Sequence, residues 1–250
     1  MSSPILRLAG LHKSFGALVA TDNITLDLSP GECHALIGPN GAGKTTLIHQ
    51  ISGVLKPDAG RIFFAEQDVT DAAPYERAQL GMARSFQITS IIPGFTVLEN
   101  VALAAQARSG SSFRFFGRAK AETALNDAAI QALTIVGLEA RRDTVAGSLS
   151  HGEKRSLELA IALAMAPKAL ILDEPMAGMG REESARLITT LRELKSRVPI
   201  LLVEHDMEAV FALADRVSVL VYGRIIASGA PEEIRADPEV RSAYLGEDAA

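Results

Sequence analysis

Residues 38–45 read Gly38, Pro39, Asn40, Gly41, Ala42, Gly43, Lys44 and Thr45, a G-x-x-x-x-G-K-[ST] spacing followed by Thr46. Glycines at these intervals let the backbone curl until successive N–H groups point at one centre, and a helix starting there adds partial positive charge. That arrangement cradles phosphate. Lys44 offers a point charge for the β- and γ-phosphates of a nucleotide, and Thr45 offers a hydroxyl to Mg2+, a hard cation that takes oxygen ligands. A glycine-rich turn without a ligand is the bland alternative. It leaves unexplained why every specified position of the motif matches, directly after an apolar strand and directly before a helical run.

Asp173 and Glu174 follow the apolar run Leu170, Ile171, Leu172. Carboxylates at the end of a buried strand are costly unless they hold a cation or move a proton. Asp173 suits Mg2+, and Glu174 suits polarising a water that attacks a γ-phosphate. Taken without the phosphate cradle, the pair reads equally well as a turn with two solvated acids. Ser150 and Glu153, ahead of Leu157, Ala160, Ile161, Ala164 and Met165, form a capping box. A capped helix N-terminus also presents free N–H groups to an anion. His205 follows an apolar run at 200–203 and precedes Asp206, so it reads either as a site histidine or as a loop histidine beside a helix cap.

These groups need elements to hold them. Ile24, Leu26 and Leu28 alternate with polar neighbours, and residues 61–65 do the same, which predicts half-buried strands and a partly antiparallel N-terminal region. The unbroken apolar runs at 35–37, 169–172 and 200–203 predict parallel strands buried on both faces. Residues 96–166 read as a helical insert, with Leu125, Ala129, Ala132, Leu133 and Val136 on one face before Gly137, a C-terminal stop. Met207, Val210, Phe211 and Ala214 predict a further amphipathic helix, and Tyr222-Gly223 separates two strands of a hairpin. Residues 108–117 read as a loop.

Composition bounds the rest. With 250 residues and 48% hydrophobic content the chain can bury a core without metals or disulfides. Lys and Arg total 25 against 30 Asp and Glu, a net charge of −5. Six acids and two arginines lie in residues 230–250, so the remainder is nearly neutral and lacks the basic footprint of a nucleic-acid binder. Cys33 is the single cysteine and forms no intrachain disulfide. The start, MSSPILRLAG, lacks the apolar core of a signal peptide, and no run approaches the length of a membrane span. A reducing, cytoplasmic setting is the expectation.

Taken together, the motifs resemble those of ATP-binding subunits of ABC transporters over essentially the whole chain. Lys13-Ser14-Phe15-Gly16 resembles the segment whose aromatic stacks on adenine, giving Phe15 that role, although by itself Phe15 reads as core. Arg84-Ser85-Phe86-Gln87 resembles the glutamine loop; the resemblance implies that Gln87, otherwise an uninformative amide, touches Mg2+ or the attacking water and senses the membrane subunit. Leu149-Ser150-His151-Gly152-Glu153 resembles the signature motif, which engages ATP held on the opposite subunit. Asp173-Glu174-Pro175 resembles the second phosphate-site motif, and His205 the switch histidine that meets the γ-phosphate. His151 and Glu153 depart from the usual glycine and glutamine, and Gly180 stands where aspartate is common.

The resemblance implies an α/β phosphate-loop ATPase fold with an antiparallel β subdomain and a helical subdomain. Residues 1–95 and 167–229 would be the nucleotide-binding core, 96–166 the helical subdomain with the signature motif, and 230–250 a tail. Residues 83–87 (ARSFQ), 92–101, 202–220 and the ending AYLGE resemble more closely the ATPases of branched-chain amino-acid importers, and the insert near 108–118 the longer of their two ATPase chains. ATP and Mg2+ are the implied ligands. The implied partners are a second ATPase, different or identical, two membrane permeases and, indirectly, a solute-binding protein, at the cytoplasmic face of the cell membrane. A urea or other solute transporter, or less closely a non-transport ABC ATPase, is the competing reading.

Overall fold

A computed structural model describes residues 3–84, 91–108 and 123–245. Gln87 and most of the expected 108–117 loop fall outside these residues. In chain order the described elements are β1 (Leu6–Phe15), β2 (Leu18–Leu28), β3 (Cys33–Ile37), α1 (Lys44–Ile51), β4 (Ala59–Phe64), β5 (Gln67–Asp68), α2 (Pro74–Gln79) and β6 (Met82–Arg84). Then come α3 (Val97–Arg108), α4 (Thr123–Ile135), α5 (His151–Ala164), β7 (Ala169–Asp173), α6 (Arg181–Leu194), β8 (Ile200–Val203), α7 (Met207–Leu213), β9 (Arg216–Val221), β10 (Arg224–Gly229) and α8 (Pro231–Ala236).

The alternating strands build one antiparallel sheet, ordered β2-β1-β4-β5, in which Leu6 pairs with Leu28 and Leu8 with Leu26. Every residue of β3, β7 and β8 is buried, as continuous apolar runs require. They sit inside a second sheet, ordered β10-β9-β3-β8-β7-β6, parallel throughout except for the β9–β10 hairpin. That hairpin turns at Tyr222 (φ 46°) and Gly223 (φ 77°), the two positive-φ positions of a type I′ turn.

Both faces of the parallel sheet are covered. Leu36, Ile171, Leu201 and Val203 pack with Leu47 and Ile48 of α1 and with the antiparallel sheet. Leu170, Leu172, Ile200 and Leu202 pack with Leu187 and Leu191 of α6. Helix α5 is shared: Leu159 and Ala162 join this second core, while Leu157, Ala160 and Ala164 pack with Val97, Val101, Ala129 and Leu133 of α3 and α4. The second half of α5, from Leu157 to Ala164, is therefore held by two cores at once.

Helix α7 has the expected apolar face, apart from Phe211, and a second one beside it. Ala209 and Leu213 pack toward α6, whereas Val210, with Met207 and Ala214, packs toward β9. A helix wedged between two layers needs two faces. Phe211 is only half-buried, and the Arg235 guanidinium lies 5.4 Å from its ring centroid. Burial pushes the Cys33 thiol up to about 12, so this cysteine is packing rather than a nucleophile. Among the described residues no helix is long and apolar enough to cross a membrane.

Candidate functional site

The carboxyl ends of β3, β7 and β8 meet along one edge of the sheet. Parallel α/β sheets bind ligands at that edge, where connections diverge to opposite sides. Gly38 follows β3, Asp173 ends β7 with Glu174 directly after, and Glu204 and His205 follow β8. Strands far apart in sequence thus bring the phosphate cradle, the two carboxylates and the histidine to one border.

Helix α1 starts at Lys44 with Gly43 as its N-cap at φ 107° and no side chain capping it. The first intrahelical bond runs from the Leu47 N–H to the Gly43 carbonyl (2.9 Å). Ahead of it, the N–H groups of Lys44, Thr45 and Thr46 lack an intrahelical acceptor. Those of Asn40, Gly41 and Gly43 have no backbone acceptor among the described residues. Two neighbours shape the loop: the Gly223 N–H donates to the Ala42 carbonyl (2.9 Å), and a Cβ on Gly43 would collide with the Ala20 carbonyl oxygen. Lys44 Nζ donates to the Gly38 and Pro39 carbonyls at 2.6 and 3.0 Å. Burial lowers the pKa of Lys44, opposed by the charges of Glu174 and Asp173.

Asp173 is buried beside Arg84, with Oδ2 3.2 Å from Nη2. Glu174 adopts φ 49°, a left-handed conformation that is strained for a side-chain-bearing residue. Its N–H donates to the Val203 carbonyl (2.8 Å), so the strain is held by β8. Its side chain is 35% exposed, and Oε1 stands 3.9 Å from His205 Nδ1. Adjacent carboxylates thereby acquire different surroundings, one buried in an ion pair and one open to solvent.

Glu204 is a structural determinant that the motif reading passes over. It is fully buried; Oε1 accepts from the Met176 N–H (2.9 Å), and Oε2 accepts from the His205 and Asp206 N–H groups (2.9 and 3.3 Å). This single carboxylate fastens the turn after Glu174 to the His205 loop. An acid directly after four buried strand residues was the available signal. Asp206 accepts from the Glu208 and Ala209 N–H groups, as the cap reading expects.

Phe15 is 51% exposed at the tip of the β1–β2 hairpin, with Lys13 Nζ 5.7 Å from its ring centroid. The core reading of Phe15 is therefore excluded. The Ser150 capping box forms in full: Ser150 Oγ accepts from the Glu153 N–H (3.1 Å), and Glu153 Oε2 accepts from the Ser150 N–H (2.8 Å). The unusual signature residues also find partners. Glu153 Oε1 stands 3.2 Å from Arg141 Nε, and His151 Nε2 is 3.2 Å from the Ala177 carbonyl. Glu183 closes the far side: Oε2 accepts from the Gly180 N–H (3.1 Å), and its carboxylate fills the space a Cβ on Gly152 would need.

Thr45 and Asp173 are the hard oxygen donors suited to Mg2+. Among the described residues no group of three or more His, Cys, Asp or Glu side chains is arranged to hold a metal. That donor set fits an ion sharing its shell with substrate phosphates, as Mg2+ does in nucleotide sites. An apolar groove of about 150 Å3 opens beside Arg84, lined by Val54, Pro74, Met82, Ile161 and Met165. Val54 is 59% exposed at its rim.

The fold and site define a nucleotide-binding α/β ATPase, and comparison with known proteins agrees. Residues 21–177 match the ABC transporter family, and residues 224–250 match the branched-chain amino acid ATP-binding cassette transporter family. The high-affinity branched-chain amino acid transport ATP-binding protein LivG of Escherichia coli (strain K12) is 38% identical, covering 99% of this chain and 100% of that protein. The lipopolysaccharide export system ATP-binding protein LptB of Acidithiobacillus ferridurans is 33% identical, covering 98% of each. The ADP conformation of MJ1267, an ATP-binding cassette of an ABC transporter, superposes with a TM-score of 0.87 at 32% identity, covering 98% of this chain and 100% of that one. The chain belongs to the ABC transporter family, as an ATPase cassette.

Proposed function

We propose that this chain is the ATP-hydrolysing subunit of an importer for branched-chain or other hydrophobic amino acids, working at the cytoplasmic face of the cell membrane. The observation that carries the cargo class is the match of residues 224–250 to the branched-chain cassette family. The similarity to LptB leaves lipopolysaccharide export as a second reading, and that terminal match favours the first. Reconstitution with permease subunits of each transporter class tests the choice: ATP-dependent leucine uptake supports import, and its absence alongside lipid A transport or urea uptake overturns it.

In this reading Phe15 stacks on adenine, and the N–H groups from Gly38 to Thr46 meet the phosphates. Lys44 has committed two of its donors to loop carbonyls and keeps a third for a phosphate oxygen. Thr45, Asp173 and Gln87 would hold Mg2+, which supplies charge neutralisation on the β- and γ-phosphates. Glu174 accepts a proton from water as the water oxygen bonds to the γ-phosphorus and the bond to the bridging oxygen breaks. His205 orients the γ-phosphate beside Glu174. Residues 1–95 and 167–229 form the nucleotide core, 96–166 the helical subdomain and 230–250 the tail.

Ser150, His151, Gly152 and Glu153 serve ATP on a second cassette, so each working site needs two chains. If Ser150 were only a cap, Ser150→Ala would cost about 1 kcal/mol of stability and leave turnover per folded molecule unchanged. We expect instead that the same modest loss of stability comes with a fall in turnover of at least tenfold; phosphate release per folded molecule, with thermal denaturation on the same preparation, decides it.

The groove is lined in part by Arg84, three residues before Gln87 in the chain, and a helix of a permease is the partner that its apolar lining suits. Val54→Asp should abolish co-purification with the permeases and leave nucleotide affinity of the isolated chain unchanged. Undiminished co-purification sinks this docking site.

A further inference from the structure

Arg84 is a charged residue where packing alone would select an apolar one. It ends β6, the edge strand of the parallel sheet, in register with Ile171 of β7. Asp173 lies two residues beyond Ile171 and so shares its face of the sheet, diagonal to Arg84. The Arg84 side chain is 8% exposed and that of Asp173 is 5% exposed.

The guanidinium uses its fork in two directions. Nη2 meets Asp173 Oδ2 at 3.2 Å, and Nη1 donates to Ser52 Oγ at 3.2 Å. Ser52 is the C-cap of α1, so one side chain ties the end of the helix that begins in the phosphate loop to the carboxylate at the tip of β7. The charge of Arg84 also helps to depress the pKa of His49, in the last turn of α1, after the larger effect of burial. Nε is buried and has no hydrogen-bond partner among the described residues. An apolar side chain would avoid both the buried charge and that unpartnered Nε. Their presence points to a task for the carboxylate that Arg84 holds.

We infer that Arg84 is a positioning residue for Mg2+ binding: it holds Asp173 in one orientation so that the carboxylate faces the start of α1, where Thr45 lies. Groups that orient a metal-holding side chain from behind typically change metal affinity by about 10- to 100-fold when removed. Lysine keeps the charge but cannot reach Ser52 and Asp173 with the planar two-pronged geometry of arginine. The inference rests on the assignment of Asp173 to Mg2+ in the proposed function.

The test titrates Mg2+ against full-length chain and a fluorescent ADP analogue, reading nucleotide binding rather than turnover. Arg84→Met should raise the half-saturating Mg2+ concentration about 10- to 100-fold, leave Mg2+-free nucleotide binding unchanged, and give way to an intermediate value in Arg84→Lys. An unchanged Mg2+ requirement in Arg84→Met, or an equal loss of Mg2+-free binding, overturns the positioning role. Should Arg84→Met fail to fold, Arg84→Lys alone decides, because a wild-type Mg2+ requirement in that variant overturns it too. Asp173→Asn separates the two levels. A normal Mg2+ response there removes the assignment of Asp173 and the inference with it, whereas a lost response there beside a normal one in Arg84→Met removes the inference alone.

Discussion

Glu174→Gln should slow ATP turnover by about 10²- to 10⁴-fold, the range expected when a general base is lost, with nucleotide affinity kept. The two carboxylates after β7 are not equivalent. Asp173 is buried against Arg84, whereas Glu174 is 35% exposed and lies 3.9 Å from His205 Nδ1. Solvent access suits a group that must take a proton from water and release it. Its left-handed φ of 49° turns the chain off the strand and separates its surroundings from those of Asp173, a strained geometry of the kind that collects at functional sites. Glutamine preserves the shape and the backbone bond to Val203, so the fold should survive while the base is absent. Steady-state phosphate release at saturating ATP, paired with a binding isotherm, is the measurement. Wild-type turnover in Glu174→Gln would remove the assignment and direct attention to His205.

Gly43→Ala should weaken ATP binding by about 10²-fold. The residue stands at φ 107° as the N-cap of α1, and an L side chain there costs about 1 to 3 kcal/mol of backbone strain. Three kcal/mol taken from binding corresponds to slightly more than 10²-fold in Kd. A Cβ would also collide with the Ala20 carbonyl oxygen on β2. Backbone cannot yield as a flexible side chain can, so the loop itself must shift away from the geometry that aims its N–H groups. Gly41→Ala is the internal control: Gly41 has φ 79°, yet nothing lies within 4 Å of its added Cβ. It bears the conformational strain without the collision and should lose less affinity. Isothermal titration of both variants discriminates, and equal losses would show that the contact with Ala20 is irrelevant to the loop.

Much of this molecule can be read before any coordinates, because the relevant physics is local. Alternation at Ile24, Leu26 and Leu28 marks a strand with one wet face, and the unbroken runs ending at Ile37, Leu172 and Val203 mark strands with none. Glycine spacing from Gly38 to Gly43 states how the backbone must curl, whatever it packs on. The Ser150 and Glu153 pair encodes a helix start within four residues. The two faces of α7 could not be read in this way, because they depend on which layers lie on either side, α6 with β8 or β9 with α8. Nor could the exposure of Phe15, since an aromatic in a strand is apolar whether or not something covers it.

By itself the sequence determined the kinds of element, the phosphate cradle and the inventory of acids, hydroxyls and histidine available for nucleotide chemistry. Tertiary structure alone decided how those groups divide the work. Asp173 and Glu174 are neighbours with the same chemistry until β6 brings Arg84 against one and β8 presents His205 to the other. Glu204 becomes a fastener only because the turn at Met176 returns to the end of β8. Residues 89 apart in the chain become an ion pair of 3.2 Å, and the environment that gives a side chain its charge, orientation and access to water belongs to such long-range contacts.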